Sequence, residues 1–188
     1  MLRLMLLLAF FAAPFWETSP PGDWSDEQLH RLLGSSPWSR SEKGARIYLA
    51  SAEPLWLAER ELWRRHPPDG GEYDDGSVEE YVEFMEDNRH DYIVVAVYVP
   101  LPQYLEPEKE TKRMENRSVL VVGKKKHKMV GHFPPTAADH YLRLVFPPAV
   151  KAADETFFFD LYVPGVPLPY RRLIFDVARM TYKGKPEW

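Results

Sequence analysis

The chain has 188 residues, no cysteine, and 24 lysines and arginines against 28 acidic residues, for a net charge of −4. This composition rules out disulfides, cysteine-ligated zinc or iron–sulfur centres and a thiol nucleophile. A mildly acidic chain argues against nucleic acid as the main partner, because phosphate neutralisation needs a basic surface. A hydrophobic content of 45 % at this length supplies a core without cross-links.

Residues 1–13 have the layout of a secretory signal peptide: the α-amine and Arg3 precede an apolar run that ends at Ala13. The run is shorter than the ~20 apolar residues a bilayer core needs. No cysteine follows it to carry a lipid anchor. Ala12 and Ala13 are small enough for the cleavage position, but Phe10 or Phe11 then stands where a second small residue is expected, so the mature chain begins between Ala12 and Trp16. The plain alternatives are a buried N-terminal helix or a miscalled start codon. The leader predicts a periplasmic or secreted protein with no transmembrane segment in its mature chain, and the lack of cysteine in an exported domain suits a bacterium.

Residues 14–44 read as an N-terminal extension with one short helix, and 45–188 as a single β-rich domain. In the extension, Ser25 and Gln28 form a capping box, Trp24 and Leu29 a hydrophobic staple, and Leu29, Leu32 and Leu33 one apolar face ending at Gly34. A helix that short is marginal alone and must dock. Residues 45–50 follow as a short strand. Ser51 is then the expected cap of a helix with Pro54 in its first turn, striped by Leu55, Ala58 and Leu62 beside Trp56 and Trp63. Glu61 can pair with Arg64 or Arg65, and Pro67-Pro68 ends the helix. After an acidic loop, Ser77 and Glu80 form a second capping box, and Val78, Tyr81, Val82 and Met85 keep helical spacing.

The character then switches. Residues 92–99 are β-branched and aromatic on both faces, as in a central strand covered on two sides. Strands are also expected at 118–122, 127–133, 141–146, 157–163 and 172–177, with a hairpin at Gly123. Phe157, Phe159, Leu161 and Val163 share one face, and Leu173, Phe175 and Val177 another. With no helix expected between these strands, the pairing is antiparallel. The fold class is α+β: an antiparallel β-sandwich-like sheet with two or three short N-terminal helices.

Motifs with chemistry are few. The acidic loop at 69–80 fails the EF-hand template, which leaves only a loose calcium site at Asp74, Asp75 and Glu79 against the plainer reading of a solvated loop and an acidic first turn. Lys124, Lys125, Lys126 and Lys128 could touch anionic headgroups, but they equally solvate a hairpin tip and block edge pairing. The histidines His30, His66, His90, His127, His132 and His140 show no H-E-x-x-H or H-x-H pairing, so a zinc site would need the fold to gather distant residues. Trp24, Trp38, Trp56 and Trp63 could stack on sugars, yet their helical spacing and the staple explain them as core. Asn116 heads a glycosylation sequon, which carries little weight in a bacterial protein. Neither a G-x-S-x-G elbow nor a phosphate-binding glycine loop occurs.

Three segments are similar to a family of uncharacterised exported bacterial proteins: Trp24-Ser-Asp-Glu-Gln28 with Ser36-Pro37-Trp38, Ile47 through Ser51-Ala52 and Pro54, and Phe175 to Lys185 at the C-terminal end. The resemblance implies export, small N-terminal helices and a β-rich body, and supplies no substrate, cofactor or site residue. The expectation is a non-catalytic envelope or secreted module with an unknown protein or small-molecule partner and no cofactor or metal. The alternatives are an envelope hydrolase built on histidines and carboxylates, such as His127, His132 or His140, and a carbohydrate-binding module.

Overall fold

A computed structural model describes residues 13–42, 44–67, 77–100, 106–137 and 139–188. Among the described residues, five α-helices, two larger open antiparallel sheets and one two-stranded sheet make up an α+β fold, as expected. The N-terminal part holds α1 (Phe15–Thr18), α2 (Asp26–Ser35), β1 (Ser39–Glu42), β2 (Ala45–Leu49), α3 (Glu53–Arg65) and α4 (Ser77–Asn88). Then come β3 (Ile93–Tyr98), α5 (Pro107–Arg117), β4 (Val119–Val122), β5 (Lys125–Lys128), β6 (Gly131–Phe133) and β7 (Tyr141–Phe146). The chain closes with β8 (Thr156–Tyr162), β9 (Tyr170–Asp176) and the small hairpin β10 (Thr181–Tyr182) and β11 (Lys185–Pro186).

One sheet has the order β1-β2-β3-β7-β6 and the other β5-β4-β8-β9. The apolar run of β3 places it at the centre of the first sheet, where residues 93–97 are all buried. One face of that sheet carries Leu144 and Phe146 toward the second sheet, where Phe146 meets Phe159 at 5.0 Å between ring centroids. The inner face of the second sheet presents Phe157, Phe159, Leu161, Leu173 and Phe175, all buried, so the alternation read from the sequence holds. Helices α2 and α3 cover the opposite face of the five-stranded sheet, carrying Tyr48, Ala96 and Arg143 in one row across β2, β3 and β7.

The capping box at Ser25 and Gln28 is present, with both reciprocal hydrogen bonds, and Leu29, Leu32 and Leu33 are buried. Residues 14–42 are built into the body: β1 pairs with β2 in the main sheet, and Phe15 and Trp16 pack edge-on against Trp24 and Trp38. Ser51 is not the cap of α3. Its hydroxyl accepts from Val94 N, Ala52 stands at the cap position, and the Glu53 N–H donates instead to Glu187 Oε1 at 2.7 Å. The stretch expected as one strand at 127–133 is two, because the chain leaves the second sheet after Lys128 and joins the first at Gly131. The helix-free run of strands is interrupted by α5, whose only buried residue is Met114, so that no apolar stripe marked it. Ser77 opens α4, but its side chain and residues 69–76 of the acidic loop lie outside the described residues.

Candidate functional site

Beneath α2 and α3, a cavity of about 250 Å³ opens on the helix face of the five-stranded sheet. Its floor is charged. Glu59 from α3, Arg143 from β7 and Asp139, just before β7, are all nearly fully buried. Arg143 Nη2 donates to Glu59 Oε1 at 3.1 Å and Nη1 donates to Asp139 Oδ2 at 2.5 Å. The Tyr48 hydroxyl donates to Glu59 Oε1 at 2.5 Å and the Tyr81 hydroxyl to Oε2 at 3.0 Å. Asp139 Oδ1 accepts from the Tyr141 N–H.

Local sequence explains the placement. In α3, Glu59 follows Leu55 by four residues and precedes Leu62 by three, so it lies on the apolar stripe and turns into the core. In β7, Leu142, Leu144 and Phe146 face the second sheet, which sends Arg143 to the helix side. Between Tyr48 and Arg143 in the row stands Ala96, whose small side chain leaves room above the sheet. The Arg143 guanidinium lies 3.9 Å from the centroid of the Tyr81 ring and within 6 Å of Trp63 and Tyr141, so it sits in an aromatic enclosure.

Burial pushes the Glu59 carboxyl above the ordinary glutamate range, against the pull of Arg143 and the Tyr48 and Tyr81 hydrogen bonds. Burial first, and Glu59 second, raise both Tyr48 and Tyr81 well above the usual phenol value, so they remain donors. Burial alone would lower Arg143, but Glu59, Tyr81, Asp139 and Tyr48 outweigh it and keep the guanidinium charged. Its Nε is buried without a protein acceptor among the described residues.

The rim is made by Arg46, Tyr141 and His30, and the walls by Leu33, Leu62 and Trp63. Arg46 Nη1 donates to the Tyr141 hydroxyl at 3.3 Å. The same Arg46 lines a neighbouring depression of about 310 Å³ with Ser41 and Tyr98.

The residues singled out from sequence fall elsewhere. Trp24, Trp38 and Trp56 are buried in the core, while Trp63 is half-buried in the cavity wall. His127 is on β5, His132 on β6, and His140 stacks loosely on Tyr98 at 5.9 Å. Among the described residues, no three His, Asp or Glu side chains are grouped to hold a metal ion. Glu79 is exposed on α4, while Asp74 and Asp75 lie outside the described residues. The lysines at 124–128 occupy the tip and edge strand of the β4–β5 hairpin, exposed to solvent. Asn116 Nδ2 donates to Lys112 O on α5.

No motif marks Glu59, Asp139 or Arg143. The available signal was a carboxylate inside an apolar helical stripe and an arginine inside an alternating strand; their meeting across 84 residues is a tertiary fact. Comparison with known protein families, characterised proteins and solved structures found no match.

Proposed function

We propose that the protein is an exported, non-catalytic binding module of a bacterial periplasm or extracellular space, and that its ligand site is the cavity floored by Glu59, Arg143 and Asp139. The observation that carries the binding reading is the set of three charged side chains, nearly wholly buried, at the base of an open cavity. Buried charge costs several kcal/mol per ion to desolvate, and concave sites with a few converging polar groups are where small ligands bind. The floor carboxylates are engaged in holding Arg143, which suits a fixed recognition surface.

Export rests on the leader at 1–13 and on the family resemblance. Phe15 and Trp16 pack on the body, which favours cleavage that leaves both in the mature chain. Fractionating cells that express the full chain, with N-terminal sequencing, should find a product in the periplasm or medium beginning between Ala13 and Phe15. Intact Met1 in the cytosol overturns the localisation. For the binding reading, ¹⁵N-labelled protein is titrated with a panel of small amines, carboxylates and sugars. At least one class should shift the Trp63 indole resonance, and silence from every class overturns the site.

The hydrolase reading has one observation in its favour: a carboxyl raised by burial within a cavity has the property a general acid needs. It predicts a hydrolytic activity that Glu59→Gln abolishes.

A further inference from the structure

The chemistry of the cavity decides what class of molecule it admits. Two carboxylates and three aromatic rings resemble a receptor for a cation, but the protein fills that place with its own: the Arg143 guanidinium donates a hydrogen bond to each carboxylate and lies over the Tyr81 ring. Glu59 Oε1 already accepts from two donors and Oε2 from one. An incoming amine would have to displace Arg143 and leave a guanidinium unpaired in the core.

The groups left open are donors. Arg46 is exposed at the rim, and among the described residues its guanidinium has one hydrogen-bond partner, the Tyr141 hydroxyl. The Tyr141 oxygen accepts that bond, and its own proton has no acceptor among the described residues. A planar guanidinium beside a hydroxyl matches the two oxygens of a carboxylate. Arg143 is engaged by the floor carboxylates, so Arg46 alone faces an incoming anion: it matches the single charge of a monoanion and leaves one charge of a phosphate dianion unpaired. Behind the rim, the walls are apolar: Leu33, Leu62 and Trp63. A volume of about 250 Å³ falls below the range typical of drug-sized ligands.

We propose that this cavity takes a small monocarboxylate with a short apolar tail, the carboxylate held by Arg46 and the Tyr141 hydroxyl and the tail lying against Leu33, Leu62 and Trp63. The proposal rests on the reading of the cavity as a binding site and adds the class of ligand.

The test titrates the full chain, ¹⁵N-labelled in a low-salt buffer free of carboxylate and phosphate, with acetate, butyrate, inorganic phosphate and methylammonium. Butyrate should shift the Trp63 indole resonance at lower concentration than acetate, by about fourfold for each methylene buried. Arg46→Gln, an exposed rim change, should weaken butyrate about tenfold or more, whereas Arg60→Gln on the exposed part of α3 should leave it unchanged. Butyrate binding that survives Arg46→Gln overturns the proposal, as does phosphate binding as tightly as butyrate. Methylammonium shifting Trp63 while butyrate does not overturns the carboxylate inference and leaves the cavity a binding site. If none of the four solutes moves Trp63, the carboxylate proposal falls, and the wider panel of solutes decides whether the cavity binds anything.

Discussion

Arg143 and Glu59 are partners, yet their removal should have unequal effects. Without Arg143, Glu59 and Asp139 remain as two buried carboxylates with no cation between them; breaking a buried pair in that way costs about 3–5 kcal/mol. Arg143→Met should therefore lose about that much in urea denaturation. Glu59→Gln leaves the Arg143–Asp139 pair intact. The amide oxygen can accept from Tyr48 and Arg143, and its NH₂ can donate to the Tyr81 hydroxyl, which turns to accept. Its cost should stay within about 1 kcal/mol. The two variants also differ with pH. Because burial raises the folded carboxyl of Glu59 above its ordinary value of 4.5, its contribution to stability is fullest below that value and is lost as pH rises through the folded pKa. Glu59→Gln removes that loss, so the variant should gain on the wild type between pH 4.5 and neutrality. A difference in unfolding free energy that stays flat over this range contradicts the assignment.

At the scale of elements, α3 is tied at both ends by residues distant in sequence. Near its C-terminal end, Glu61 accepts from Arg64 and Arg65, and Arg65 reaches across to Asp26 on α2 at 2.7 Å. The hydrogen bond from Arg64, followed by that from Arg65, brings the Glu61 carboxyl down to about 2. A depressed carboxyl stabilises above its unfolded value and loses that contribution as pH falls from 4.5 toward 2. Glu61→Gln should thus be destabilising at pH 6, with most of that difference gone by pH 2, which acid titration followed by circular dichroism checks. At the N-terminal end, Glu187 supplies the acceptor that Ala52 lacks. Glu187→Ala should cost about 1 kcal/mol, or about 2–4 °C in Tm. These ties show why the sequence was legible only in part. The α2 cap, the stripe of α3 and the alternation of β8 are periodic, local signals, and each stands as read. The cap of α3 comes from 134 residues away, and α5 has one buried residue with which to announce itself. The floor of the cavity needed two unpromising local facts, a glutamate in an apolar stripe and an arginine in a strand, to meet in space. Tyr141 and Arg46 read as ordinary strand residues until the helix face of the sheet is assembled.

At the scale of the whole molecule, the question is whether the two sheets fold as one unit. The core cluster is continuous from Leu29 and Trp38 through β3 and Phe146 to Phe159 and Phe175. The chain itself crosses between the sheets through only Met129 and Val130, leaving β5 at Lys128 and entering β6 at Gly131, so neither sheet can form its edge without constraining the other. All six tryptophans, at 16, 24, 38, 56, 63 and 188, lie outside the strands of the four-stranded sheet. Phe159 lies within that sheet, is fully buried, and contacts Phe146, Phe157 and Phe175 at 5.0, 5.7 and 6.0 Å between centroids. Phe159→Ala removes a ring from the layer between the sheets and should lose about 3–5 kcal/mol. If the core is cooperative, tryptophan fluorescence, which watches the other side of the molecule, will report that whole loss, with the same urea midpoint as circular dichroism. A fluorescence midpoint unchanged from wild type, alongside a lowered circular dichroism midpoint, would instead mean that the four-stranded sheet unfolds on its own. The charged cavity, which belongs entirely to the helix-covered side, would then keep its geometry without it.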